Sequence, residues 1–148
     1  EQRDTDAFTP ASSRRTMRFI LMMTGPAAKP GQGIEAWPKE DIQAHMAFMH
    51  KFNGELKAEG VLAGAEGLDY PPKPRIVRAT RERKPSVTDG PFPETKEFLF
   101  GYWIVEVDTP EQAYEIAARA SAAPGPGGVP LNMPIEVRQI MDAPPSLD

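Results

Sequence analysis

Residues 86–107 read Ser-Val-Thr-Asp-Gly-Pro-Phe-Pro-Glu-Thr-Lys-Glu-Phe-Leu-Phe-Gly-Tyr-Trp-Ile-Val-Glu-Val. From residue 98 onward the stretch is rich in aromatic and β-branched side chains, which predicts the strongest strand of the chain. Before it, Asp89-Gly90-Pro91 predicts a sharp turn, because Gly90 tolerates positive φ and Pro91 disfavours the helical region at the residue before it. The turn therefore places a carboxylate beside a strand, where backbone geometry restricts its rotamers.

Two interpretations of Asp89 follow from the residues alone. In the first, the side chain folds back onto nearby backbone amides as an Asx turn and has only a local structural role. In the second, the same restricted carboxylate lies at the mouth of a pocket and acts in catalysis or ligand binding. The local pattern is compatible with both.

Upstream of the turn, the sequence predicts one long strand, one helix and three short strands. Residues 17–24 form a continuous apolar run, typical of a buried central strand. Pro38 opens a predicted helix that ends near Gly60, and short strands are predicted over 61–68, 76–80 and 86–88. The apolar stripe of the helix is expected at spacings of three and four, on Ile42, Met46, Met49, Phe52 and Leu56.

Downstream, Thr109-Pro110-Glu111 predicts a helix start, with a hydroxyl cap and proline in the first turn. Its buried stripe is expected on Ala113, Ile116, Ala117 and Ala120, and the last strand over 135–141. The order β, α, β, β, α, β, with one small extra hairpin, predicts an α+β, ferredoxin-like antiparallel sheet with two helices on one face. Its other face needs a cover, so we expect a homodimer.

Composition narrows the class of protein. The 148 residues carry a formal net charge of −4, which argues against a nucleic-acid-binding protein. The basic run over 75–84 is read as the solvent face of a hairpin, with an anion site as the alternative. The chain contains no cysteine, which excludes disulfides and Cys-ligated metals, and no segment is apolar enough to span a membrane. We expect one cytoplasmic domain over 17–142, a disordered or tag-like extension over 1–16 and a short tail over 143–148.

Two histidines, His45 and His50, lie on the first predicted helix. Five residues separate them, so they point about 140° apart and cannot both reach one small site. This argues against a two-histidine metal centre, and no metal or cofactor is expected. Each histidine can be an ordinary half-exposed helix residue, or one of them can pair with a carboxylate and act as a general base near neutral pH.

The segment Val-Thr-Asp-Gly-Pro-Phe-Pro-Glu-Thr-Lys-Glu at 87–97, followed by Gly101-Tyr102-Trp103-Ile104, resembles the signature of the DGPF branch of the YCII-related family. The resemblance extends to residues 17–23, 52–56, 60–62, 66–68 and 135–138. It implies a dimeric α/β-barrel-like assembly and a possible acid/base pair of a helix histidine and an aspartate. Asp89 matches that aspartate, whereas His45 and His50 are equal candidates for the histidine.

Two functions follow. The first is a cofactor-independent enzyme that uses Asp89, with His45 or His50, in acid/base chemistry on a small apolar or aromatic molecule. The second is a non-catalytic dimeric module that binds a ligand or a regulatory partner protein. Whether the chain is an enzyme is left open by its sequence.

Overall fold

The computed structural model of the chain describes residues 16–26, 28, 31–69, 74–90 and 97–146. The predicted extension over 1–16 lies outside these residues except for Thr16. Within them the chain forms an α+β fold, whose elements in chain order are β1 (Met17–Gly25), α1 (Lys39–Ala58), β2 (Leu62–Gly67), β3 (Arg75–Ala79), β4 (Pro85–Asp89), β5 (Phe98–Val107), α2 (Pro110–Ser121) and β6 (Ile135–Gln139).

Strands β2, β5, β1 and β6 form one antiparallel sheet in that spatial order. The two longest strands, β1 and β5, lie at its centre, as their apolar composition predicts. The register between them shifts after Met23, where β5 carries one extra residue. The predicted central strands are therefore confirmed, with boundaries within about one or two residues.

Both helices pack their apolar stripes on one face of this sheet. Phe52 and Leu56 of α1 join one cluster with the helix-facing residues of β1 and β5. The predicted stripe of α2 is confirmed in full, since Ala113, Ile116, Ala117 and Ala120 are all buried. The predicted start of α2 is confirmed as well: Thr109 Oγ1 accepts from the Gln112 backbone N–H, and Gln112 Oε1 accepts from the Thr109 N–H.

The predicted stripe of α1 is wrong at Met46, whose side chain is 60% exposed. Met46 lies about 120° around the helix from buried Phe52, too far to face the same core. Phe48 packs against the core instead, and its ring stacks on that of Phe52 one turn later at 5.8 Å between centroids. Met49, Phe52 and Leu56 of the predicted stripe do pack on the core, so the period is correct and the stripe was misassigned at Met46.

Strands β3 and β4 form a separate two-stranded sheet, which we call the hairpin arm (residues 75–90). The small extra hairpin expected from the sequence is therefore confirmed. The connection reverses over residues 80–84, where Arg83 adopts positive φ and donates its N–H to the Thr80 carbonyl at 3.0 Å. Almost every residue of the arm is exposed, which confirms that its basic side chains face solvent.

The face of the four-stranded sheet opposite the helices carries a second apolar set. Side chains alternate along a strand, so the residues between the core positions of β1 and β5 point to this opposite face. Across the central pair, Ile20 lies opposite Ile104 and Met22 opposite Tyr102, and all four are only partly buried in the single chain. We call these four residues the open-face cluster.

Candidate functional site

His45 is held by the backbone of a distant loop. Its Nδ1 lies 2.9 Å from the carbonyl oxygen of Pro124, 79 residues away in sequence. A carbonyl oxygen only accepts hydrogen bonds, so this contact requires the proton to sit on Nδ1. In the neutral ring Nε2 then keeps its lone pair and is the nitrogen able to accept a proton or bind a ligand.

The surroundings of His45 fix the ring in place. The Trp37 ring meets the imidazole edge to face, with centroids 5.6 Å apart. Asp41, one helical turn before His45, accepts a hydrogen bond from the Gly127 backbone N–H at 3.2 Å. Two side chains of one α1 face therefore bind the loop that follows α2. We call Trp37, Asp41, His45, Pro124 and Gly127 the imidazole cluster.

His50 differs from His45 in its exposure. It lies five residues further along α1 and its side chain is exposed, whereas His45 is half-buried. Their separation around the helix, about 140°, places them in different environments. Of the two candidate histidines, His45 is thus the one that the fold orients.

Asp89 lies at the end of β4, on the hairpin arm. Its side chain is 93% exposed, and its carboxylate contacts Arg75 Nε across the arm at 3.5 Å. An ion pair this exposed contributes little to stability. The Asx-turn interpretation depends on amides that follow Gly90, and residues 91–96 lie outside the described part of the chain. The structure therefore leaves both interpretations of Asp89 as predictions.

Gly90 is required at the turn for a reason that the sequence did not indicate. Glycine tolerates positive φ, but Gly90 is not among the described residues in that region. Instead, a Cβ at position 90 would lie 3.1 Å from both Cγ1 and Cδ1 of Ile76. The Gly90 N–H also donates to the Pro74 carbonyl at 3.0 Å. Close packing at the base of the hairpin arm, rather than backbone strain, accounts for the glycine.

The structure does not join Asp89 and His45 within one chain. The described contacts of Asp89 lie within the hairpin arm, and those of His45 are with Trp37 and Pro124. Within the described ranges, no group of three or more histidine, aspartate or glutamate side chains is arranged to hold a metal ion. None of the described helices combines the length and apolarity that a membrane span requires.

Two segments that carried the family resemblance meet in the core. Trp103 of β5 donates its indole N–H to Asn53 Oδ1 of α1 at 2.8 Å, and its ring meets Phe52 edge to face at 5.8 Å. Next to them, Arg119 of α2 lies over the Phe52 ring and pairs with Glu55 at 2.9 Å. The motif residues therefore join α1 to the central strand and, through Arg119, to α2, so their role in the fold is structural.

A protein-family model matches most of the sequence that forms this fold. Residues 17–129 match the family model of the YCII-related domain. The chain belongs to the YCII-related family. The matched segment holds His45, Asp89 and Pro124, and it ends before β6. No curated protein matches the sequence.

Within this YCII-related segment, sequence reasoning missed the loop partner of His45. The sequence patterns assigned no role to the loop after α2, whereas Pro124 of that loop supplies the carbonyl that orients the imidazole. One signal was present: Asp41 and His45 are spaced i, i+4, which places two polar side chains on one face of α1. No sequence pattern indicated that Pro124 and Gly127 are the partners of these two side chains.

Proposed function

We propose that this YCII-related chain is a cofactor-independent acid/base enzyme for a small apolar or aromatic molecule, with His45 as its proton-transfer group. The observation that carries the proposal is the contact of 2.9 Å between His45 Nδ1 and the Pro124 carbonyl. That contact leaves Nε2 as the acceptor in a ring with a fixed orientation. A neutral imidazole is the side chain best suited to accept a proton near neutral pH.

The chemistry assigned to His45 is a reversible proton transfer. Nε2 takes a proton from a C–H or O–H group of the bound molecule, which becomes an anion while the ring becomes an imidazolium. The imidazolium then returns the proton to the rearranged molecule, so no other reactant is consumed. Trp37, packed against the imidazole, offers an apolar wall for an aromatic substrate.

Asp89 is assigned the second acid/base position. The sequence suggested that a carboxylate orients the imidazole, but the Pro124 carbonyl already occupies Nδ1. Asp89 therefore acts from the Nε2 side, where substrate lies between the two groups. This arrangement agrees with the implied pair of histidine and aspartate, and it assigns the histidine to position 45.

The proposal includes the DGPF branch, a ferredoxin-like topology and a homodimer. The quoted string at 87–97 supports the branch. With the hairpin arm set aside, the order β2-β5-β1-β6 places the first and third strands of the sheet at its centre, as in ferredoxin-like folds. The open-face cluster is an apolar surface, and a second copy packed on it would form the barrel-like dimer and enclose a cavity.

The test is a search for ligands followed by a proton-exchange assay. Small aromatic and apolar carbonyl compounds that raise the melting temperature are incubated with the protein in D₂O, and NMR measures the loss of C–H signals. We expect His45→Gln to slow exchange by about 10²–10⁴-fold. His50→Gln, on the same helix, is the matched control and should exchange at the wild-type rate. Wild-type exchange by His45→Gln would overturn the proposal.

The second candidate is a non-catalytic interaction module, which the hairpin arm favours. Val77 and Val87 face each other across the arm and remain 60% and 57% exposed. Exposed apolar pairs on a projecting element are typical of protein contacts. In that case ligands would bind without any exchange, and His45→Gln would leave both binding and partner contacts unchanged.

A further inference from the structure

We propose that the two acid/base groups come from different copies of the chain: the hairpin arm of one copy docks beside α1 of a second copy and brings its Asp89 to that copy's His45. The inference rests on the proposed function, because it names which copy supplies each group. It accounts for the finding that the described contacts of His45 and of Asp89 do not join the two groups within one chain.

The first step is that the described contacts of the arm leave two of its apolar side chains, Val77 and Val87, exposed. Among the strands that the structure describes, β3 and β4 pair with each other in a two-stranded sheet. Isolated two-stranded hairpins are marginally stable in water, and both of their edges are open. Val77 and Val87 form an exposed apolar pair at the middle of the arm. An additional surface packed on this pair would stabilise the arm.

The second step compares the net charge of the hairpin arm with that of the rest of the chain. The hairpin arm contains five basic residues and two acidic ones, so it is basic within an acidic protein. The whole chain has 17 basic and 21 acidic residues, so 12 basic and 19 acidic residues lie outside the arm. The rest of a second copy is thus strongly acidic and attracts the arm.

The third step is the surface around His45. The exposed residues Glu35 and Glu40 and the half-buried Asp41 lie just before it, with Lys39 as the basic residue among them. Met46, next in sequence to His45, is 60% exposed and offers an apolar contact. The start of α1 thus combines a net negative charge with an exposed apolar side chain, which complements a basic arm whose centre is a valine pair.

The fourth step is the position of Asp89 itself. Its carboxylate lies at the end of β4 near the base of the arm, 93% exposed, and its described partner is Arg75 of the same arm. An arm that docks on a second copy carries this carboxylate to the other chain while Arg75 stays beside it. A two-fold axis then gives two equivalent sites, each incomplete without the partner copy.

Cross-linking tests the docking directly, because the chain contains no cysteine. Asp89→Cys in one copy is co-expressed with Met46→Cys in a second, differently tagged copy, and a short bismaleimide is added. Both positions are exposed, so both variants should fold. We expect a covalent heterodimer. Lys57→Cys is the matched control, since it is also exposed but lies about 16 Å further along α1. Equal linkage to Lys57→Cys, or no linkage to Met46→Cys, would overturn the inference.

Complementation separates this inference from the proposed function. His45→Gln and Asp89→Asn are each expected to slow proton exchange by about 10²–10⁴-fold, whereas their co-expression should restore roughly one quarter of the wild-type rate. Half of the dimers are then mixed, and each mixed dimer has one intact site of two. If both variants are inactive and their co-expression restores no exchange, the shared site is overturned and the proposed function stands. Two active variants would overturn the proposed function itself.

Discussion

The hydrogen bond between Trp103 and Asn53 supports a quantitative prediction about stability. Trp103 is 4% exposed, and its indole N–H has Asn53 Oδ1 as its acceptor at 2.8 Å. Asn53→Leu keeps similar side-chain volume but removes the acceptor. The buried N–H is then unsatisfied, which costs about 1–3 kcal/mol. For a protein of this size, a loss of about 2 kcal/mol lowers the melting temperature by roughly 4–8 °C.

A double-mutant cycle isolates this bond from other effects of the substitution. Leucine has a higher helix propensity than asparagine, but that gain is the same whether residue 103 is tryptophan or phenylalanine. Urea unfolding followed by far-UV circular dichroism measures wild type, Asn53→Leu, Trp103→Phe and the double variant. We expect a coupling free energy of about 1–2 kcal/mol. If Asn53→Leu costs as much in the Trp103→Phe background as in wild type, the hydrogen bond does not account for the effect.

Three further changes test separate parts of the structure. His45→Phe keeps an aromatic ring beside Trp37 but loses the donor to Pro124; it should cost about 1 kcal/mol in urea unfolding, and an equal cost for His50→Phe would contradict the assignment. Thr109→Ala removes the cap of α2 and should cost about 1 kcal/mol by the same measurement; an unchanged midpoint would argue against the capping box. Gly90→Ala should speed amide exchange in the hairpin arm, and Ile76→Ala should relieve the effect; equal exchange in both backgrounds would show that their contact is not the cause.

The sequence predicted the parts of the fold that local patterns determine. The cap at Thr109 and the stripe of α2 depend on spacings within a few residues, and both agree with the structure. The strand over 98–107 was predicted because aromatic and β-branched side chains are concentrated there. The resemblance also identified the YCII-related family, and the match of residues 17–129 to the model of that family shows it independently.

The candidate site was harder to predict because its contacts are distant in sequence. The Pro124 carbonyl that orients His45 is 79 residues away, and no residue type marks a backbone acceptor. Asn53 and Trp103 are 50 residues apart, so no local sequence pattern indicated their hydrogen bond. Met46 was misplaced because spacings of three and of four residues both fit a helix stripe, so periodicity alone does not choose between neighbouring positions.

The tautomer of His45 is the central claim of this account, and NMR can measure it. Long-range correlations between imidazole nitrogen and carbon-bound hydrogen atoms distinguish the two neutral forms. We predict the Nδ1–H form for His45, as its contact with the Pro124 carbonyl requires, with exposed His50 as the internal reference. An Nε2–H form at His45 would contradict the account, because Nε2 would then carry the proton that it is proposed to accept.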